Sequence, residues 1–191
     1  MMRGIVSARL ATVDEDFAAK LGSRFANYGE VEPDMKQAVA IGYARAYGNF
    51  ENIAKKYSES TSNEEKVRLL VSMASFEEPK LVSQSLELAE KGEIKRQDQI
   101  ILIEAATRNP AAKDTAWAWI KLNMSRLRET YEGTGTLSRF FQSCIPILGI
   151  GRVEEVERYF CENMVPEAKN GIRAGLERLR VYQKFANGVL L

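Results

Sequence analysis

Four acidic residues gather late in the chain, Glu154, Glu155, Glu157 and Glu162. Paired carboxylates can exchange protons or hold a divalent cation. On a helix that turns Val153, Val156 and Phe160 inward, however, these acids fall mostly on the solvent side, so a hydrated face is the expected role. Gly149-Ile150-Gly151 stands before a helix start, where backbone N–H groups can bind an anion. Without a preceding strand or a P-loop pattern, it reads as a helix–helix corner. Trp117 and Trp119 could stack a nucleobase, but their places beside an apolar stripe suit core packing. Lys55-Lys56 and Lys95-Arg96 are short basic pairs of the kind that keep a surface soluble. Cys144 and Cys161 show no C-x-x-C spacing and are too few for a cysteine-rich metal site. Two reduced, buried thiols are expected of them, with a single disulfide as the alternative.

The absence of histidine from all 191 residues excludes more than any motif suggests. It removes the Ser-His-Asp and Cys-His nucleophile systems, the usual zinc-protease ligands and the commonest general base near neutral pH. With 27 Lys and Arg against 26 Asp and Glu, the net charge of +1 sets up no field that would attract nucleic acid or a membrane surface. At 45% apolar and 28% charged residues the composition is that of a globular protein. No apolar run approaches a membrane span, and the N-terminus lacks a secretory pattern, so a cytoplasmic protein is expected.

The elements that must position any site follow one period. Phe17, Leu21, Phe25 and Tyr28 are spaced by four, four and three. Met35, Val39, Tyr43 and Ala46 repeat the helical spacing, as do Val67, Leu70, Val71 and Ala74. Ala116, Ile120, Met124, Leu127 and Tyr131 mark a longer segment; Val153, Val156, Phe160 and Met164 another; Ile172, Leu176 and Leu179 the last. Ile100-Ile101-Leu102-Ile103 could pass for a strand, but the following Glu104-Ala105-Ala106 favours a buried helix. Helices are predicted over 3–11, 13–28, 33–47, 49–59, 63–75, 77–91, 95–107, 110–131, 136–149, 152–163 and 166–186. Pro33, Pro79, Pro110 and Pro166 sit near helix openings. Asn49 can cap the segment holding Phe50, and Ser62 with Glu65 reads as a capping box. Gly92 and Gly133 suit left-handed stops, while Pro146 should kink or divide its helix. The stretches 33–59 and 63–91 each have the size of one layer of an α-solenoid. No linker or domain boundary is visible.

Particular residues in order carry a family resemblance. Asn63-Glu64-Glu65-Lys66, Leu69-Leu70, Met73-Ala74 and Phe76-Glu77-Glu78-Pro79-Lys80-Leu81-Val82 are followed by Gly92-Glu93-Ile94-Lys95-Arg96-Gln97-Asp98. Then come Arg108-Asn109-Pro110, Ala116-Trp117, Arg152-Val153-Glu154-Glu155-Val156 and Tyr159-Phe160. Across residues 50–185 this string resembles the C-terminal helical domain of zinc aminopeptidases of the alanyl and leucyl type. That group includes the endoplasmic-reticulum aminopeptidases and the archaeal tricorn-interacting factors. The resemblance implies an all-α fold, a right-handed α-α superhelix of HEAT/ARM-like helical hairpins, with residues 1–191 forming one helical domain that is a fragment of a larger one.

The same resemblance implies a function that this chain cannot perform alone. The family's H-E-x-x-H zinc helix and its Gly-Ala/Gly-Met-Glu-Asn strand have no counterpart here. The expectation is therefore a non-catalytic domain with no cofactor of its own, zinc belonging to the parent enzyme's catalytic domain. That catalytic domain and peptide substrates are the implied partners, with no nucleic acid and no membrane. In the family this domain closes over the zinc site and limits peptide size. Some members anchor substrate with an arginine at the position that matches Ser75, so that anchor is not carried over. Arg68, Arg96, Arg108 and Arg139 are the candidates to face the substrate cavity. Asp98 and Arg108-Asn109-Pro110 are read as structural, and Tyr47, Trp117 and Phe160 as packing residues. The alternative is a free-standing α-solenoid scaffold that binds a protein or peptide.

Overall fold

The structure is a computed structural model that describes residues 2–188. Among them the chain is all-α, as the sequence predicts, with twelve α-helices and three short 3-10 segments. The residues group into two compact units, the first ending at Ala116 and the second beginning at Trp117. The division falls inside one helix, so no linker marks it.

In the first unit, α1 (Met2–Leu10) and α2 (Glu15–Gly22) both pack on α3 (Lys36–Tyr47). Then α3 packs on α5 (Asn63–Met73), and α5 on α7 (Arg96–Thr107), while α4 (Phe50–Glu59) and α6 (Pro79–Glu90) alternate with them as hairpin partners. This is the stacked-hairpin arrangement expected from segments of solenoid size. The apolar stripes explain the stacking: Ala38, Val39, Leu69, Leu70, Met73, Leu102 and Ile103 are fully or almost fully buried. Burial of Leu102 and Ile103 within α7 resolves the strand-like run as helix. Where α2 crosses α3, Gly22 and Gly42 bring backbone onto backbone. A Cβ added to Gly22 would stand 2.8 Å from the Gly42 carbonyl carbon.

The second unit holds the last part of α8 (Lys113–Leu122), then α9 (Met124–Tyr131), α10 (Thr136–Leu148), α11 (Val153–Glu162) and α12 (Lys169–Ala186). Its tightest pairing is α10 with α12. Trp117, Phe141 and Phe160 form its aromatic core; the Phe141 and Phe160 rings meet edge to face at 5.1 Å. Trp117 and Phe160 thus pack as predicted, and Trp119 is also buried.

Several boundaries differ from the sequence reading for local reasons. The segment predicted over 110–131 is a 3-10 turn followed by two helices, because Asn123 leaves helical geometry at φ −99° and ψ 13°. The segment over 13–28 is α2 followed by a 3-10 stretch in which Asn27 is non-helical. Pro146 does not divide α10. It lies in the last turn, so it removes a single N–H bond, the one to the Gln142 carbonyl, and little helix remains beyond it to be displaced. Gly92 and Gly133 do adopt left-handed φ, at 75° and 69°. Asn49 caps α4 by accepting from the Asn52 N–H. The capping box is only half formed: Ser62 accepts from Glu65 N–H at 3.4 Å, but the Glu65 carboxylate turns to Lys36 and Arg68. Met164 and Ala46, assigned to apolar stripes, are exposed, and so is the Cys161 thiol. Cys144 is buried, and neither cysteine is in a disulfide.

Two acids of the late cluster do not simply face water: Glu157 accepts from Arg180 Nε at 2.7 Å, and Glu155 pairs with α8. Glu155 Oε1 accepts from Trp117 Nε1 at 2.7 Å and from Lys121 Nζ at 3.1 Å. The Trp117 bond first, then Lys121, holds its carboxyl below the ordinary value of 4.5. A carboxyl depressed by folding stabilises above its unfolded pKa, and that contribution is lost as pH falls through the folded value. The melting-temperature gap between wild type and Glu155→Gln should therefore be constant at neutral pH and shrink below pH 4.5. A gap unchanged down to acid pH would remove the charge-assisted bond from the account.

Candidate functional site

A cavity of about 590 Å³ opens in the first unit. Gln37, Ile41 and Arg45 line it from α3 at steps of four, so a single stripe of that helix faces it. The α5 helix adds Arg68 and Val71, Ser75 follows just past its end, Arg108 and Asn109 follow the end of α7, and α1 contributes Arg9. Four guanidinium groups thus share one wall. Two acids, Asp34 and Glu64, stand among them.

Intramolecular carboxylates fix three of the arginines. Arg45 bonds Glu77 at 2.7 Å and the Ser75 carbonyl at 3.5 Å. Arg68 bonds both Glu64 and, at 3.2 Å, Glu65. Arg108 bonds Glu104 at 2.6 Å, one helical turn behind it. Such charge-assisted bonds orient a guanidinium. Behind Arg68, Glu65 also pairs with Lys36 at 3.3 Å and lies against Tyr28. Burial raises the Tyr28 phenol above its ordinary value, and the Glu65 carboxylate raises it further. That phenol stays neutral and its charge never competes in the cluster. The base of the wall is held by Asn109, whose Nδ2 donates to the carbonyls of Ala74 at 2.9 Å and Phe76 at 2.7 Å.

Of the arginines singled out from sequence, Arg68 and Arg108 come together in this cavity. Arg96 opens α7 at the opposite end from Arg108, and Arg139 lies on α10 in the second unit; neither lines the cavity. Sequence reasoning missed Arg9 and Arg45. Arg45 was legible as the end of the Gln37–Ile41–Arg45 stripe, whereas nothing local distinguishes Arg9 from any exposed arginine. Ser75, the position without the anchoring arginine, does face the cavity. Among the described residues no three His, Cys, Asp or Glu side chains gather in a way that could hold a metal ion. The wall can bind and orient an anion; it contains no nucleophile–base pair.

The model of the ERAP1-like C-terminal domain matches residues 1–181. The chain is 39% identical over 178 residues to a leucyl aminopeptidase of Saccharolobus solfataricus, which covers 92% of this chain and 23% of the relative. It is 43% identical over 171 residues to a probable aminopeptidase 2 of Sulfurisphaera tokodaii, covering 88% and 22%. A tricorn protease-interacting factor F2 of Thermoplasma acidophilum is 33% identical over 186 residues, covering 97% and 23%. The chain therefore spans less than a quarter of the length of these relatives.

Proposed function

The chain belongs to the ERAP1-like C-terminal domain family, and from that premise we propose that it is the non-catalytic helical domain of a zinc-dependent aminopeptidase, capping the active-site cavity and limiting peptide size. Residues 1–191 act in this reading as one helical domain, part of a larger C-terminal domain. The parent enzyme removes N-terminal amino acids from peptides in the cytoplasm. Among the described residues no helix is long and apolar enough to cross a membrane.

The observation that carries the reading is the family match over residues 1–181 on a chain without histidine. Such a chain can shape a peptidase but cannot supply the histidines of its metal site, so the zinc is assigned to the parent's catalytic domain. The geometry adds a role. A rigid wall bearing Arg45, Arg68 and Arg108 offers preset donors to the carboxylates of a peptide. A helical cap that excludes water would also strengthen electrostatics at a metal beneath it. Arg68 and Arg108 are the cavity-facing candidates of this proposal; Arg96 and Arg139 would act only on surfaces outside this cavity.

The test is aminopeptidase activity on a chromogenic amino-acid amide and on peptides of graded length, with Zn²⁺ added. The chain alone is expected to be silent, and mixing it with the matching catalytic domain should give activity or a changed length preference. Activity from the chain alone would overturn the assignment, and silence in both arms would favour a free-standing peptide-binding scaffold. In the active mixture, Arg68→Ala with Arg108→Ala should lower kcat/KM for long peptides by roughly tenfold, the loss of about one charge-assisted contact. Hydrolysis of the small amide should stay within about twofold of wild type, because the amide is too short to reach the wall. Equal losses on both substrates would assign the two arginines to folding instead.

A further inference from the structure

Tyr47 does not pack as the sequence reading expects. It is 51% exposed, yet its ring is held in place. Tyr47 continues a three-ring stack: the Phe25 and Tyr43 rings lie 4.2 Å apart at 14°, and the Tyr43 and Tyr47 rings 5.2 Å apart at 18°. The hydroxyls fix the rings from their far ends. Tyr43 OH accepts from Asn52 Nδ2 at 2.7 Å, and Tyr47 OH donates to the Ala19 carbonyl at 3.4 Å. Core packing explains Phe25 and Tyr43 but gives no reason to order a half-exposed ring at the end of the row.

Beside these rings lies a second cavity of about 520 Å³ in the same unit, on a different stripe of α3 from the arginine wall. Gly22, Ser23 and Ala26 line it beside the aromatic rings. From α4, Asn52, Lys55, Lys56 and Glu59 turn one helical stripe toward the space. Lys56 sits over the Phe25 ring at 5.4 Å from its centre, and Lys55 reaches Glu59 only at 3.9 Å, both side chains well exposed. Two ammonium groups against one carboxylate leave the rim with a net positive charge, which disfavours a cationic guest on the rings. A locked aromatic wall, a floor of small residues and a positive rim select a flat apolar group that carries a negative charge.

We propose that the cavity formed by Phe25, Tyr43, Tyr47, Lys55 and Lys56 binds a planar aromatic anion, its ring stacked on the outer face of Tyr47 at the end of the row and its anionic group toward the lysines. Both a nucleoside monophosphate and an aromatic residue with a free carboxylate have this chemistry. The site is separate from the arginine wall and does not depend on the aminopeptidase reading.

Titrating the full chain with AMP, adenosine, inorganic phosphate and N-acetyl-tyrosine, followed by calorimetry or chemical-shift change, tests both the class and its source. AMP binding more tightly than adenosine and phosphate separately would establish the nucleotide; N-acetyl-tyrosine binding alone would establish the aromatic carboxylate; binding of both would establish the class. Tyr47→Ala should weaken the bound probe by about tenfold or more, the usual worth of a stacking ring. Tyr47→Phe should restore it, since the stack survives without the hydroxyl. Lys55→Glu should weaken the anion while leaving adenosine unchanged. No probe binding below about 5 mM, or binding that Tyr47→Ala leaves untouched, overturns the proposal.

Discussion

Asn109→Leu is expected to lower the stability of the first unit by about 3–5 kcal/mol, read as a lower midpoint of urea unfolding at an unchanged slope. The side chain is 5% exposed and uses its whole amide. Its Nδ2 donates to the carbonyls of Ala74 and Phe76, just past the end of α5, and its Oδ1 accepts from the Ala111 N–H at the start of the next helical turn. Leucine fills a similar volume but leaves two buried carbonyls and one N–H without that partner. Each such orphan costs about 1–3 kcal/mol, and the lost cap adds to the sum. Asn109→Asp separates the two functions. It keeps the acceptor for Ala111 but turns a carboxylate toward two carbonyl oxygens, so it should be at least as damaging as leucine at neutral pH. A loss under 1 kcal/mol for leucine would mean that water replaces the amide. The arginine cavity should suffer with the fold, because Asn109 is both its base and part of its wall.

What was legible in the sequence, and what was not, divides by distance along the chain. Stripes such as Ala116–Ile120–Met124–Leu127–Tyr131 are local, set by burial at every third or fourth residue, and all five are buried as read. The break inside that same stripe was invisible, since Asn123 leaves the helix without disturbing the apolar spacing on either side. Ser62 and Glu65 illustrate the next range. The Ser62 cap is local and forms, but Glu65 is drawn away by Lys36, 29 residues earlier. Sequence supplies the types of such groups and not their approach. The cavity shows the same limit. Arg68 and Arg108 were identified by their place in a resemblance, while Arg45 and Arg9 join them only because α1, α3, α5 and α7 stack. Tyr47 was read as a packing residue from the family resemblance; it does stack on Tyr43, but nothing local reveals that its ring stays half open.

In the second unit the largest effect should come from adding one methyl group. An α-helix normally gains about 1 kcal/mol when an interior glycine becomes alanine, and Gly171 lies in the first turn of α12. Yet a Cβ there would stand 1.8 Å from the Ser138 carbonyl oxygen and 2.5 Å from its carbon, which are backbone atoms of α10 that no rotamer change can move. One turn later Gly175 has the same constraint, with the Phe141 carbonyl oxygen 2.7 Å from its added Cβ. Gly171 and Gly175 therefore form a bare stripe along which α12 lies backbone to backbone on α10, fixed further by the Gly171 N–H donating to Ser138 Oγ at 3.1 Å. Gly171→Ala must push the two helices apart and loosen the tightest pairing of this unit, including the burial of Ile172 and Leu179. Overpacking of a rigid contact costs about 1–3 kcal/mol or more, and with two backbone atoms in the way the net change should reach about 3 kcal/mol of destabilisation against the favourable propensity. Gly29→Ala, in the 3-10 stretch of the first unit, is the control for an open position, because an added Cβ meets nothing within 4 Å there. That variant should be neutral or slightly stabilising. If Gly171→Ala instead raised the melting temperature, helix propensity would outweigh the contact, and the close approach of α12 to α10 would not be what holds this unit together.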